Sequence, residues 1–101
     1  MSKIALIGPP QMVNPLSSLG LEVHGCDSGR RAEEALLKLK EKGDFSIIFI
    51  TERLAMDCPE TIESLQEKIN LILLPDNRGS VGLFKEKLEK LIREATGALK
   101  V

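Results

Sequence analysis

Apolar residues along the chain occur in two kinds of run: short unbroken stretches, and longer stretches where they recur every three or four positions. "KIALIG" (Lys3 to Gly8), "FSIIFI" (Phe45 to Ile50) and "LILL" (Leu71 to Leu74) are unbroken. Runs of that length suit strands covered on both faces, as in a parallel sheet. "LEVHGC" (Leu21 to Cys26) instead alternates apolar with polar positions. Alternation predicts a half-exposed strand, the kind found at a sheet edge.

The stretches between carry helical spacing. Met12, Val13, Leu16 and Leu19 fit one helix face, but Pro15 sits among them, so only a short or broken helix is expected. "DSGRRAEEALLKLKEKGD" is the clearest helix: Asp27 or Ser28 can cap it, and Ala32, Ala35, Leu36 and Leu39 form its apolar stripe. Gly43 supplies a left-handed stop. Thr51 is a candidate cap for a short helix opening at Glu52. Asp57 and Glu60, around Cys58 and Pro59, resemble a capping box for a helix striped by Ile62, Leu65 and Ile69. The last helix places Phe84, Leu88, Leu91, Ile92 and Ala95 on one face, and the tail after Gly97 is short.

The alternation β-α-β-α-β-α-β-α predicts a single three-layer α/β domain with a four-stranded parallel sheet flanked by helices. Right-handed crossovers and an exposed second strand favour the order 2-1-3-4, the flavodoxin/CheY-like topology. Residues 1–76 form the expected compact body, and 77–101 a loop plus a C-terminal amphipathic helix that the pattern allows either to pack on the sheet or to swing free. The whole is one domain, as 101 residues suit.

Composition narrows the function classes. Hydrophobic residues make up 43% and charged residues 29%, as in an ordinary globule. Fourteen Lys plus Arg against fifteen Asp plus Glu leave a net charge of −1, without the basic stripe that nucleic acid requires. Three Phe, no Trp and no Tyr give no stacking platform for bases. Cys26 and Cys58 lie far apart without C-x-x-C spacing, as expected in a reducing compartment. Neither a signal-peptide pattern nor an apolar run of the ~20 residues a membrane span needs is present, so a chain without direct membrane insertion is expected.

The expected ligand crevice of such a sheet lies outside the carboxyl ends of the first and third strands, at "GPPQM" and "TERLA". Pro9 and Pro10 have no N–H to offer a phosphate, and neither common phosphate-loop motif occurs. The rival reading is a degenerate receiver-like or small nucleotide-binding signalling domain, built on Glu52 and the segment Asp76 to Gly82. Receiver chemistry needs acids after the first strand to hold magnesium and an aspartate after the third. Here those places read Gly8-Pro9-Pro10 and Thr51-Glu52. His24 is the single histidine and has no second ligand for zinc. No basic cluster is positioned to activate either cysteine. "DNRGSVG" is read as a hydrophilic connection rather than an anion site, and Glu52 as a helix-start acid. The expectation is no catalytic, cofactor or metal site.

"KIALIG", "LGLEVHG", "IIFITERLA" followed by "ETIES", "ILLPDNRGSVGL" and the closing helix ending "EATG" together resemble the F subunit of the V-type and A-type rotary ATPases. The likeness spans essentially the whole chain, with "ITE" at the end of the third strand its most distinctive element. The family often has an acidic residue after the first Gly and a Phe-Arg-Leu-Ala-Gly-like segment before the second strand. This chain has Pro9 and "PLSSLG" there, so roles tied to the missing Asp or Arg do not carry over.

The resemblance implies a non-catalytic member of the central rotor stalk. Such a protein docks on the coiled-coil D subunit beside the C subunit, and the resemblance implies a mobile C-terminal portion that reaches toward the A/B catalytic head and modulates coupling. It implies a peripheral location on the cytoplasmic side of the membrane, in a proton- or sodium-translocating complex. Docking calls for small and apolar surface residues rimmed by charge. The candidates are Leu54, Ala55 and Met56, the loop residues Ser80, Val81 and Leu83, and Leu99 and Val101 at the end. Met56 suits an adaptable contact because its thioether side chain repacks easily.

Overall fold

The computed structural model describes residues 3–75 and 81–100, with the side chains of 81–83 and 95–100 outside the description. Its elements are β1 (Lys3–Gly8), α1 (Pro10–Val13), a 3-10 segment (Asn14–Leu19), β2 (Glu22–Gly25), α2 (Gly29–Lys42), β3 (Phe45–Thr51), α3 (Glu52–Met56), α4 (Pro59–Gln66), β4 (Leu71–Leu74) and α5 (Val81–Lys100). The four strands form one sheet in the order β2-β1-β3-β4. All three pairings are parallel, with Ala5 opposite Glu22 and Ile48, and Ile48 opposite Leu71. The architecture is the one the hydrophobic pattern predicts.

Strand alternation divides the core into two layers. Ala5, Ile7, Ile48, Ile50 and Leu71 pack on one face against Ala32, Leu36 and Leu39 of α2, Leu54 of α3, and Ile62 and Leu65 of α4. Leu6, Ile47, Phe49 and Leu74 face the other way, onto Val13, Leu16, Phe84 and Leu88. Because each central strand feeds both layers, β1 and β3 must be apolar at nearly every position, and both are buried over their last four or five residues.

Local chemistry sets the element ends. The amide of Arg31 donates to the Ser28 hydroxyl at 3.3 Å, so Ser28 and not Asp27 caps α2. Gly43 closes the helix at φ 71°, its N–H donating to Leu39 O. Pro15 does what its ring requires: α1 gives way after one turn to a 3-10 segment, which stops at Gly20 with φ 83°.

Four local expectations need correction. Thr51 precedes α3 but its side chain caps nothing: it is wholly buried and points into the core. Asp57 does not open α4, because it closes α3 instead and Cys58 occupies the N-cap position without a side-chain bond. Ile69 lies beyond the end of α4 and packs from the following turn, where its N–H donates to Leu65 O at 2.8 Å. Gly97 does not end α5, which continues to Lys100. β4 also differs from a fully covered strand: as the second edge of the sheet it leaves Leu73 39% exposed.

Candidate partner-binding site

The carboxyl ends of β1 and β3 are where a sheet of this topology would hold a ligand. In this chain they are filled by its own side chains. A β-carbon added to Gly8 would lie 2.6 Å from Val13 Cγ1 and 3.0 Å from Thr51 Cγ2. The absence of a side chain at Gly8 therefore lets Val13 and Thr51 close over the strand end. The amides of Met12 and Val13 both donate to Pro9 O, at 2.9 and 3.0 Å, and Pro10 has none. Two of the N–H groups a phosphate would need at this turn are thus committed to Pro9 O, and the prolines offer none. Glu52 stands just outside, exposed, as the first residue of α3. Among the described residues, no three of His, Cys, Asp and Glu gather as metal ligands would.

The other groups singled out in the sequence have structural partners. His24 Nε2 lies 2.8 Å from Glu22 Oε2, and Lys42 Nζ lies 3.6 Å from the same oxygen. The His24 hydrogen bond, helped by Lys42, holds the Glu22 carboxyl below the usual carboxylate range. This cluster ties the edge strand β2 to the end of α2. Cys26 and Cys58 are both buried. Burial first, and Asp27 and Glu34 next, push the Cys26 thiol up, while burial and then Glu33 and Asp57 do the same to Cys58. A raised thiol is a poor nucleophile at neutral pH. The Cys58 Sγ–H points at Leu54 O, 3.5 Å away.

What this end of the molecule does offer is an apolar groove. It is walled by α3, α4 and the edge strand β4, with a volume of about 260 Å³. Ala55, Met56, Pro59, Ile62 and Leu73 line it, with Glu52, Glu63 and Gln66 at its margin. Met56 is 76% exposed, and with Leu73 it supplies two of the three large apolar side chains exposed among the described residues. The third, Leu37, stands apart on α2. Larger hollows lie at the opposite, amino end of the strands, one of about 610 Å³ bounded by Lys3, Ile4, Leu19, Leu21, Glu22 and Ile92.

Of the contact residues expected from the sequence, the structure puts Leu54 and Ala55 in the core and Met56 in solvent. Ser80 and Val101 lie outside the described residues, as do the side chains of Val81, Leu83 and Leu99 in α5. Leu73 is not among those expected, because "LILL" reads as a strand covered on both faces. The order 2-1-3-4 holds the missing signal, since it makes the last strand an edge as much as the second.

Comparison with known proteins points in one direction. Residues 4–92 match the family described as ATP synthase (F/14-kDa) subunit. The chain is 34% identical over 100 residues to the V-type ATP synthase F subunit of Fusobacterium nucleatum, an alignment covering 97% of this chain and 94% of that protein. It is 28% identical over 97 residues to the V-type ATP synthase F subunit of Clostridium botulinum, covering 94% and 93% of the two chains. It is also 28% identical over 96 residues to the A-type ATP synthase F subunit of Methanococcus aeolicus, covering 94% and 95%.

Proposed function

The chain belongs to the ATP synthase (F/14-kDa) subunit family, and from that premise we propose that it is a non-catalytic part of the central stalk of a rotary ATPase. It docks on the coiled-coil D subunit, beside the C subunit, and turns with them while ATP chemistry proceeds in the A/B head. The observation that carries this reading is the closed crevice: Val13 and Thr51 fill the strand ends over Gly8, and two of the three large apolar side chains exposed among the described residues, Met56 and Leu73, stand instead on the groove. A stalk part needs a rigid body and a docking face. Two close-packed layers on a parallel sheet provide the first, and an apolar patch with a charged margin provides the second.

The C-terminal region has its own part in this proposal. Phe84 and Leu88 root α5 in the core, and the portion beyond them extends toward the catalytic head to modulate coupling between hydrolysis and synthesis. Attachment to the membrane is indirect and on the cytoplasmic side. No helix of the described residues is long and apolar enough to cross a bilayer.

The test is reconstitution. Mixing the purified chain with the coiled-coil D subunit from the same genome gives a stable one-to-one complex on a sizing column, and calorimetric titration of the chain with ATP or with magnesium plus a phosphoryl analogue gives no heat. Failure to form the complex across salt conditions overturns the proposal, as does micromolar ligand binding abolished by Glu52→Gln.

A further inference from the structure

Met56 and Leu73 face the same groove from different elements, one from the end of α3 and the other from the edge strand. The remaining apolar lining is the buried side chains of Ala55 and Ile62 and the exposed ring of Pro59. The charged side chains lining the groove are Glu52 and Glu63, with no Lys or Arg among the lining residues. Among the described residues neither acid forms an ion pair. The ion pairs of the described residues all lie away from this groove: Asp44 with Lys3, Glu34 with Arg30, Asp27 with Arg31 and Glu22 with Lys42.

We infer that this groove receives one α-helix of a partner, presenting an apolar ridge flanked by Lys or Arg. Two apolar projections with a trough between them match the side-chain ridge of a helix, whose residues three and four apart lie on one face. The unpaired acids at the margin call for cations on either side of that ridge. They also argue against other occupants. Anionic lipid and nucleic acid would meet like charge. A second copy docked groove to groove across a two-fold axis would bring Glu52 and Glu63 toward the same acids of its mate. The exposed thioether of Met56 adjusts to the exact shape of the ridge.

The inference rests on the rotor reading above, under which the helix is one of those forming the coiled coil of the D subunit. It adds to that reading the face of the molecule that docks and the chemistry of what lies against it.

The experiment measures the affinity of the full chain for its cognate coiled-coil partner by calorimetry, at low and at high salt, for the native sequence and four variants. Met56→Lys and Leu73→Lys each weaken binding at least about tenfold, as charges placed at the centre of an interface do. The double variant Glu52→Gln/Glu63→Gln binds more weakly at low salt and loses most of the salt dependence of the native chain. Leu37→Lys, on the exposed face of α2, binds as the native chain does. Circular dichroism and thermal melts of Met56→Lys match the native chain, since that side chain is already in water.

Native-like affinity of all the groove variants, with the complex still forming, overturns the groove and leaves the rotor reading standing. Absence of any complex with the native chain overturns both. Self-association of the native chain that Met56→Lys abolishes, seen by sedimentation, overturns the helix in favour of a second copy.

Discussion

Thr51 is the one buried polar residue among those described, and its hydroxyl has no hydrogen-bond partner there. A buried hydroxyl left unpaired costs free energy that a methyl of the same shape does not. Its Cγ2 meanwhile packs over Gly8, so the shape of the side chain is needed although its polarity is not. Thr51→Val therefore stabilises the chain by about 1 kcal/mol, which raises the melting temperature by about 4–8 °C in a domain of this size. A melt showing a lower midpoint would mean that the hydroxyl is engaged after all. From sequence alone Thr51 reads as a cap, because threonine before a helix commonly is one. What overrides that preference is tertiary: the residue is also the last of β3, and strand alternation turns its side chain toward Phe49's side of the sheet. Cys26 and Cys58, by contrast, are legible as structural because the sequence positions no basic cluster to activate them, and their burial agrees.

At the scale of elements, the junction between α2 and the α3–α4 corner is the tightest of the glycine approaches in the described chain. A β-carbon at Gly29 would sit 2.3 Å from Asp57 Cβ and 3.2 Å from the Asp57 carbonyl carbon and oxygen. Backbone cannot step aside as a side chain tip can, so Gly29→Ala forces the two elements apart and costs about 1–3 kcal/mol, measurable as a drop in the denaturation midpoint. Thr61 adds a tie across the same junction by donating to the Glu33 carboxylate. Strands and the long helices are readable from periodicity because their patterns are long and their burial is two-layered. The connection from β3 to β4 is less so. Pro59 does mark the start of α4, but the cap position falls to Cys58, while Asp57 closes α3 and packs against Gly29, distant in sequence. The apolar groove is half legible for a similar reason: Met56 stands out, but Leu73 joins it only once the sheet order is known.

Over the whole molecule, the two core layers lie on opposite faces of one four-stranded sheet and are closed by different parts of the chain. The layer of α2, α3 and α4 is complete by residue 71, whereas the other depends on α5 to cover Leu6, Phe49 and Leu74. Leu88 is 1% exposed. Leu88→Ala accordingly destabilises the chain by about 2–5 kcal/mol, the range for truncating a buried leucine, and urea unfolding followed by circular dichroism measures it. A change of less than about 0.5 kcal/mol, the usual scale for surface positions, would place α5 outside the cooperative unit.

That dependence sets a rule for any swinging of the C-terminal arm. Peeling α5 away from its root would hydrate Phe84 and Leu88 together, at about 3–6 kcal/mol for the two side chains, before any loss at Phe49 is counted. Thermal agitation alone would make so large an excursion rare. Any bending confined to the residues after Ile92 would carry no such penalty from these two anchors, which hold the first half of the helix to the sheet.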